Sequence, residues 1–378
     1  MLEVDLPGSS VQKNWGAPPW NIDFHPTRRA IPDEVDFAVV GGGFSGLAAA
    51  AWLRLLVPQS RVALFEAESI GAGASGRTGG VALAESAAGD LPGLGDVLSG
   101  MSAALGRLGV DCALSVPGAW ELGREGGLSN SPISWADSGT LRVVREVAGG
   151  DVHPGMLVSG LARAADGLGA LLFENARVEN IGFQKPLLIE FSGKQVRAGR
   201  TLVATNALSL ELSGLLGRAA PAFTLAVATE PLSPAQLHEM GLAARKPFYT
   251  VDLPYLWGRL LANDGVVFGS GLVYVNDWRD FAALDIDAGE PAELIARLER
   301  RVRKLHPALH SVEFTHRWGG PILIGDEWVP AFRRHPQSER VLVLGAYSGH
   351  GVALSVYLGC WAAEVMLGRK QLPVWDAA

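Results

Sequence analysis

Three glycines in the run VVGGGFSG (residues 39–46), Gly41, Gly43 and Gly46, sit between two segments of opposite character. Ahead of them, VDFAVV (35–40) is rich in β-branched and aromatic residues and suits a buried parallel strand. Behind them, SGLAAAAWLRLL (45–56) is a run of helix formers stopped by Pro58, and RVALFE (61–66) reads as a second buried strand. A strand–turn–helix–strand unit within about thirty residues commits the chain to an α/β fold that opens with a Rossmann-like sheet. The glycine pattern alone would mean little in a chain with 47 glycines; its flanks give it weight.

Each part of the unit has a physical task. Gly41 lets the chain turn tightly out of the strand, Gly43 leaves room for a pyrophosphate, and Gly46 lets the helix pack on the sheet. The helix N-terminus offers free N–H groups and partial positive charge to phosphates. Glu66, closing the second strand, can accept hydrogen bonds from both ribose hydroxyls and would repel a 2′-phosphate. NAD or FAD is therefore expected over NADP. The next segment, ESIGAGASGRTGG (68–80), favours FAD: a glycine-rich loop replaces an ordinary helix and can wrap a long ligand with backbone N–H groups.

Composition narrows the function classes. The chain has 378 residues, 48% hydrophobic and 19% charged, which is globular and long enough for two domains' worth of core. A net charge of −7 gives no general attraction for nucleic acid or anionic membrane. The basic stretch Arg297 to Lys304 reads as the solvated face of a helix. Two cysteines, Cys112 and Cys360, exclude a disulfide scaffold, and no Cys/His cluster has metal-ligand spacing. The N-terminus shows no secretory pattern, and the apolar run 37–57 is interrupted by glycines and Arg54, against a membrane span. A soluble, cytoplasmic protein is the expectation.

GGGFSGLAAA followed by LFEAESIGAGASGRTGG resembles the D-amino-acid oxidase-like (DAO) family of FAD-dependent oxidoreductases, in its glycine/sarcosine oxidase and γ-glutamylputrescine oxidoreductase branch. Four later segments, at 153–181, LVATNALS (202–209), WGGPILIGDEWVP (318–330) and VLVLGAYSGHGVALS (341–355), resemble successive parts of the same family. The resemblance implies a Rossmann-like FAD-binding domain and a second, mainly antiparallel-sheet substrate domain. The FAD domain is expected to be discontinuous, at 34–85, 151–215 and 320–378, with 86–150 and 216–319 forming the substrate domain and 1–33 an N-terminal arm.

The resemblance also implies who holds the FAD. From the first unit come Gly41, Gly43, Phe44, Ser45, Gly46, Glu66 and Ala67, and from the loop Ser75, Gly76, Arg77, Gly79 and Gly80. Val178 and Asn206 follow, then Gly349, His350, Gly351 and Val352 in a second strand–glycine turn–helix unit. The dipole of that last helix would stabilise negative charge on reduced flavin, and His350 is expected to touch the isoalloxazine.

The family's shared reaction is hydride transfer from a C–H beside an amine to flavin N5, giving an imine that water hydrolyses. Few protein acid–base groups are needed, because burial alone disfavours the ammonium form. Residues 254–271 read as a hairpin turning at NDG, with Tyr255, Trp257 and Arg259 on one face of its first strand. Tyr255 and Trp257 are the expected substrate wall with His350, and Trp318 is a further candidate. Residues 134–144 read as a strand pair and 291–305 as an amphipathic helix started by Pro291.

Departures from the family pattern matter. The carboxylate-binding arginine of the glycine oxidase pattern, five residues before Asp326, is Pro321 here, and the lysine two residues after GHG in the sarcosine oxidase pattern is Ala353. A small α-amino acid substrate is thereby disfavoured, unless Arg77, Arg259 or Arg317 substitutes. The lysine that promotes reaction with oxygen falls near Val267, which leaves a dehydrogenase open. The cysteine attachment point falls near Arg317–Trp318 and the histidine one at Val81, so non-covalent FAD is expected. A small-molecule amine is the expected partner. The alternatives are a catalytically degenerate flavin-binding subunit of a hetero-oligomer, or a flavin-dependent RNA-modifying enzyme.

Overall fold

The computed structural model describes residues 13–376. The first twelve residues of the expected arm lie outside that range. In chain order the elements are β1 (Glu34–Val40), α1 (Phe44–Leu56), β2 (Val62–Phe65), α2 (Ala74–Arg77), β3 (Val81–Leu83), α3 (Val97–Leu108) and β4 (Ala119–Gly123). Next come β5 (Trp135–Ala136), β6 (Thr140–Val147), β7 (Gly149–Asp151), α4 (Pro154–Gly167), β8 (Leu171–Phe173), β9 (Asn180–Gly182), β10 (Leu187–Phe191) and β11 (Lys194–Val203). The remainder holds α5 (Leu210–Ser213), β12 (Ala219–Thr229), α6 (Pro234–Glu239), β13 (Phe248–Thr250), β14 (Trp257–Leu260) and β15 (Val266–Tyr274). It closes with α7 (Gly289–Leu305), β16 (Phe314–Gly325), β17 (Ala331–His335), β18 (Ser338–Gly345) and α8 (Gly351–Met366).

Two eight-stranded sheets organise the described residues. The first runs β17-β18-β11-β1-β2-β8, with β10 and β9 extending from β11. Its centre is parallel: β1 pairs with β2 and β11, and β11 with β18. Strands buried on both faces need apolar side chains throughout, which the VALF of β2 supplies. α1, α3, α4 and α8 share one core on this sheet. α1 and α8 approach closely because Gly359 lacks a side chain; a β-carbon there would stand 2.5 Å from the Ser45 carbonyl oxygen.

The second sheet runs β16-β12-β15-β14-β13-β4-β6-β5 and is antiparallel except where β13 meets β4. The expected hairpin is β14–β15, closed by the Leu261 N–H donating to the Gly265 carbonyl at 2.7 Å. The expected strand pair is β5–β6. α7 begins at Gly289, two residues ahead of Pro291, and buries Ile295, Leu298, Val302 and Leu305 in the core of this sheet. Residue 320 falls inside β16, which stays paired with β12 as far as Gly325 before the chain returns to the first sheet.

The described part of the arm is built into the molecule. The Trp15 indole donates to the Phe281 carbonyl at 2.8 Å and the Trp20 indole to the Gly76 carbonyl at 2.8 Å. Both rings are buried, and Trp20 meets Trp318 edge-on with centroids 5.6 Å apart. Among the described residues no helix is long and apolar enough to cross a membrane, and no group of His, Cys, Asp and Glu could hold a metal ion.

Candidate functional site

A cavity of about 620 Å³ opens at the C-terminal ends of the parallel strands and runs between the two sheets. Val40 of β1, Phe65 of β2, Ala204 after β11 and Leu344 of β18 line one end. Thr224 of β12, Trp257 of β14, Leu272 of β15 and Trp318 of β16 line the other. Ligands of open α/β sheets collect at this position, where successive connections leave the strand ends in opposite directions.

The first glycine turn has the required geometry. Gly41 adopts φ +110°, which favours glycine, and a β-carbon there would stand 2.6 Å from the Ala204 carbonyl oxygen. A β-carbon on Gly43 would stand 2.8 Å from the Ser75 hydroxyl. One on Gly46 would collide with the Gly41 carbonyl, so Gly46 serves close helix–strand packing and lies off the cavity. At the start of α1 the Phe44 N–H donates to Ser75 Oγ at 2.9 Å, which joins the glycine loop to the helix terminus.

Glu66 anchors the turn from the second strand. Its Oε2 accepts from the Gly42 N–H at 2.7 Å and its Oε1 from the Glu68 N–H at 3.0 Å. Burial raises its pKa above the ordinary carboxylate value, and these two donors oppose the shift. A carboxylate has about four acceptor positions, so two donors leave capacity for ribose hydroxyls.

The second glycine turn faces the first. Ala346 and Ser348 have φ of 54° and 52°, and Gly349 follows at 87°, a strained tight bend at the head of α8. Ser45 Oγ and Tyr347 Oη lie 2.6 Å apart, so a hydroxyl pair ties the two turns together. Burial raises the Tyr347 pKa and keeps this phenol neutral. His350 is the residue preceding α8 and lines the cavity, with Nδ1 3.4 Å from the Ser348 carbonyl oxygen. Burial lowers its pKa and favours the neutral imidazole.

The residues present fit an FAD. The cradle at Gly43 has no room for a β-carbon, and Thr205 Oγ1, on the cavity wall, is buried with no partner of its own. Gly41, Gly43, Phe44, Ser45, Glu66, Ala67, Ser75, Arg77 and Gly79 all line the cavity. So do Val178, Asn206, Gly349, His350, Gly351 and Val352. Gly76 and Gly80 do not. A β-carbon on Gly76 would collide with the Gly71 carbonyl and one on Gly80 with the Val152 carbonyl, so both are packing positions. Asn206 Oδ1 accepts from the Ala346 N–H at 3.0 Å and braces the second turn.

Tyr255 and Trp257 both line the cavity. Trp257 and Arg259 share a face of β14, as expected, but Tyr255 lies ahead of the strand. Tyr255 precedes β14, in the loop after β13, and burial raises its pKa to about 12. Arg259 is 4% exposed and away from the cavity. Its Nε donates to the Gly79 carbonyl, its Nη1 donates to the Leu260 carbonyl at 3.1 Å, and Asp151 lies 3.5 Å away.

Arg77 has one face on the cavity, yet its guanidinium is a clamp. It donates to the carbonyls of Trp15 at 3.0 Å, Gly16 at 3.0 Å and Gly319 at 2.8 Å. Arg317 is paired with Glu299 at 2.6 Å. Trp318 lines the cavity as expected, its indole donating to the Arg77 carbonyl at 2.8 Å.

Sequence reasoning missed Tyr249, Tyr274 and Thr224, which complete the far wall. The Tyr249 hydroxyl donates to Glu121 Oε1 at 2.7 Å, and Glu121 is held by a two-pronged bridge from Arg145. Nothing in the short run FYT marks this tyrosine; strand pairing places it.

The chain matches the family model DAO, described as FAD dependent oxidoreductase, over residues 36–365. It is 28% identical to γ-glutamylputrescine oxidoreductase from Escherichia coli K12 over 385 aligned positions, covering 89% of this chain and 84% of that protein. Among solved structures, glycine oxidase from Geobacillus kaustophilus superposes with a TM-score of 0.71 at 19% identity, over 90% of this chain and 96% of that one. L-proline dehydrogenase from P. horikoshii superposes with a TM-score of 0.71 at 17% identity, over 92% and 97%. These two likenesses are of fold.

Proposed function

Because the chain belongs to the DAO family of FAD-dependent oxidoreductases, we propose that it oxidises the C–N bond of a primary or secondary amine that carries no α-carboxylate. The product is an imine. Bound FAD would supply the hydride acceptor, and the protein binds, orients and dries the amine. The relative named for γ-glutamylputrescine supports an amine over a small amino acid.

One observation carries the reading. None of the three arginines named above as substitutes for the missing carboxylate anchors offers a free guanidinium to the cavity. Arg77 holds three carbonyls, Arg259 is buried off the cavity, and Arg317 is paired with Glu299. Arg279, at the mouth, bonds Glu211 and Asp277. The wall opposite the glycine turns is instead aromatic, with Tyr249, Tyr255, Trp257 and Trp318. Such a wall suits the apolar body of an amine and disfavours its ammonium form, which leaves the nitrogen lone pair free to assist loss of hydride.

We assign the pyrophosphate to Gly41, Gly43 and the first turn of α1, the adenosine ribose to Glu66, and the flavin to the Ser75–Gly79 loop and the head of α8. His350, neutral at physiological pH, would contact the isoalloxazine without adding charge. FAD is held non-covalently, since Val81 and the pair Arg317–Trp318 offer no attachment group and Cys112 and Cys360 are buried away from the cavity. Two free thiols suit a reducing compartment, for which the cytoplasm is our reading.

The test is anaerobic reduction of the bound flavin, followed in the visible spectrum, with alkylamines and arylalkylamines set against the matching α-amino acids. Bleaching by an amine and not by its carboxylated counterpart is expected. Equal bleaching by both overturns the substrate class, and bleaching by nothing favours the degenerate flavin-binding subunit.

A further inference from the structure

Arg301 breaks the pattern of its helix. Arg297, Arg300 and Lys304 on α7 are exposed, as a solvated basic face should be. The Arg301 side chain is only 13% exposed, against 9% for its partner Asp137. Its Nε donates to Asp137 Oδ1 at 2.9 Å and its Nη2 to Asp137 Oδ2 at 2.6 Å, a two-pronged bridge that fixes the plane of the guanidinium. Arg124 braces the same carboxylate at 2.8 Å.

Two further hydrogens of Arg301 go to the loop between β13 and β14. Nη2 donates to the Pro254 carbonyl at 2.8 Å and Nη1 to the Tyr255 carbonyl at 3.0 Å. Ser270 Oγ donates to that same Tyr255 carbonyl at 2.6 Å and accepts from Arg301 Nη1 at 3.2 Å. Apolar burial anchors only the end of this loop: Leu256 is fully buried, while Val251 is 55% exposed and Leu253 81%. Yet Leu253, Tyr255 and Leu256 all line the cavity. The backbone of Tyr255 is therefore held by the guanidinium and by Ser270.

We propose that Arg301 is a positioning residue. Oriented by Asp137, it fixes the Pro254 and Tyr255 carbonyls, and so sets the Tyr255 ring against the amine. The assignment rests on the reading that this wall borders substrate. Lysine in its place can satisfy the carboxylate or one carbonyl, but a point charge cannot fork across both.

The test uses the flavin-loaded protein and the variants Arg301→Lys, Arg301→Met and Asp137→Asn. Chymotrypsin cleavage at the Tyr255–Leu256 bond needs no substrate. It should be about tenfold faster in Arg301→Met and intermediate in Arg301→Lys. With the amine that bleaches the wild-type flavin, the saturation constant for reduction should rise about tenfold while the limiting rate falls much less. Asp137→Asn should move both readouts the same way and stands in if Arg301→Met does not fold. Unchanged cleavage in all three variants overturns the proposal, and so does a fall in limiting rate at constant saturation. If no amine bleaches the flavin, the reading of function fails while cleavage still decides the role of Arg301.

Discussion

Gly79 and Trp257 interlock: a β-carbon on Gly79 would collide with the six-membered ring of the Trp257 indole. Gly269 on β15 has the same relationship to the other edge of that ring. The indole thus fills a slot between the glycine loop of the first sheet's unit and a strand of the second sheet. Gly79→Ala should expel the ring at a cost of about 1–3 kcal/mol, the usual range for overpacking. Near-ultraviolet circular dichroism and melting temperature would report it. A variant with wild-type values for both would mean that the slot is not filled as described.

Glu66 holds two backbone N–H groups at once. Glutamine has a single acceptor oxygen and would turn its amide N–H₂ toward one of those donors. Glu66→Gln should weaken FAD binding by about 1–3 kcal/mol, or roughly 5- to 150-fold in affinity. Equilibrium titration of the apoprotein with FAD measures it, and unchanged affinity would remove Glu66 from the cofactor site.

Arg77 was expected among the cofactor's ligands, and its hydrogen bonds go to the arm and to β16. Arg77→Lys should free the arm: trypsin should cut after Lys13 more readily, by an order of magnitude or so. FAD affinity should change less than in Glu66→Gln. The opposite ranking would make Arg77 a cofactor ligand first and a clamp second.

Burial holds the imidazoles of His153, His335 and His350 below the ordinary histidine value. His153 Nδ1 accepts from the Met156 N–H and His335 Nδ1 from the Gln337 N–H, which only an unprotonated nitrogen can do. As pH falls, the unfolded chain takes up protons near pH 6.5 before the folded one does. The stabilisation is therefore complete above about pH 6.5 and is lost as pH drops toward the folded values. Melting temperature should decline from about pH 7 to about pH 5, and His335→Asn should show a shallower decline. A flat profile would show these rings titrating alike in both states.

Acid precipitation should release the flavin into the supernatant, leaving a colourless pellet. Flavin retained by the precipitate would demand an attachment residue outside those the family pattern suggests.

How much of this was legible in the sequence follows from the range of each interaction. The β1–α1–β2 unit was plain, because glycine placement, a helix-forming run and two apolar strands act within about thirty residues. The hairpin at NDG was plain for the same reason. Tyr255 was placed on the strand face because alternation assumes a strand already begun, and β14 begins only at Trp257. Arg259 does follow Trp257 on that face, but it is buried against the Gly79 carbonyl, a partner far away in sequence. Arg301 read as a surface cation because its partners, Asp137 and the Pro254–Tyr255 carbonyls, are distant in sequence. Tyr249 carried no signal of its own; pairing of β13 with β4 brings it to Glu121.

The arm has a consequence for the order of events during synthesis. Trp15 needs the Phe281 carbonyl, 266 positions downstream. Arg77 can complete its clamp on Gly16 only with the Gly319 carbonyl, 242 positions beyond itself. Residues made early are thus among the last of the described ones to find their places. Until β16 is made, the glycine loop stands open on that side, so the loop cannot close on its own neighbourhood alone.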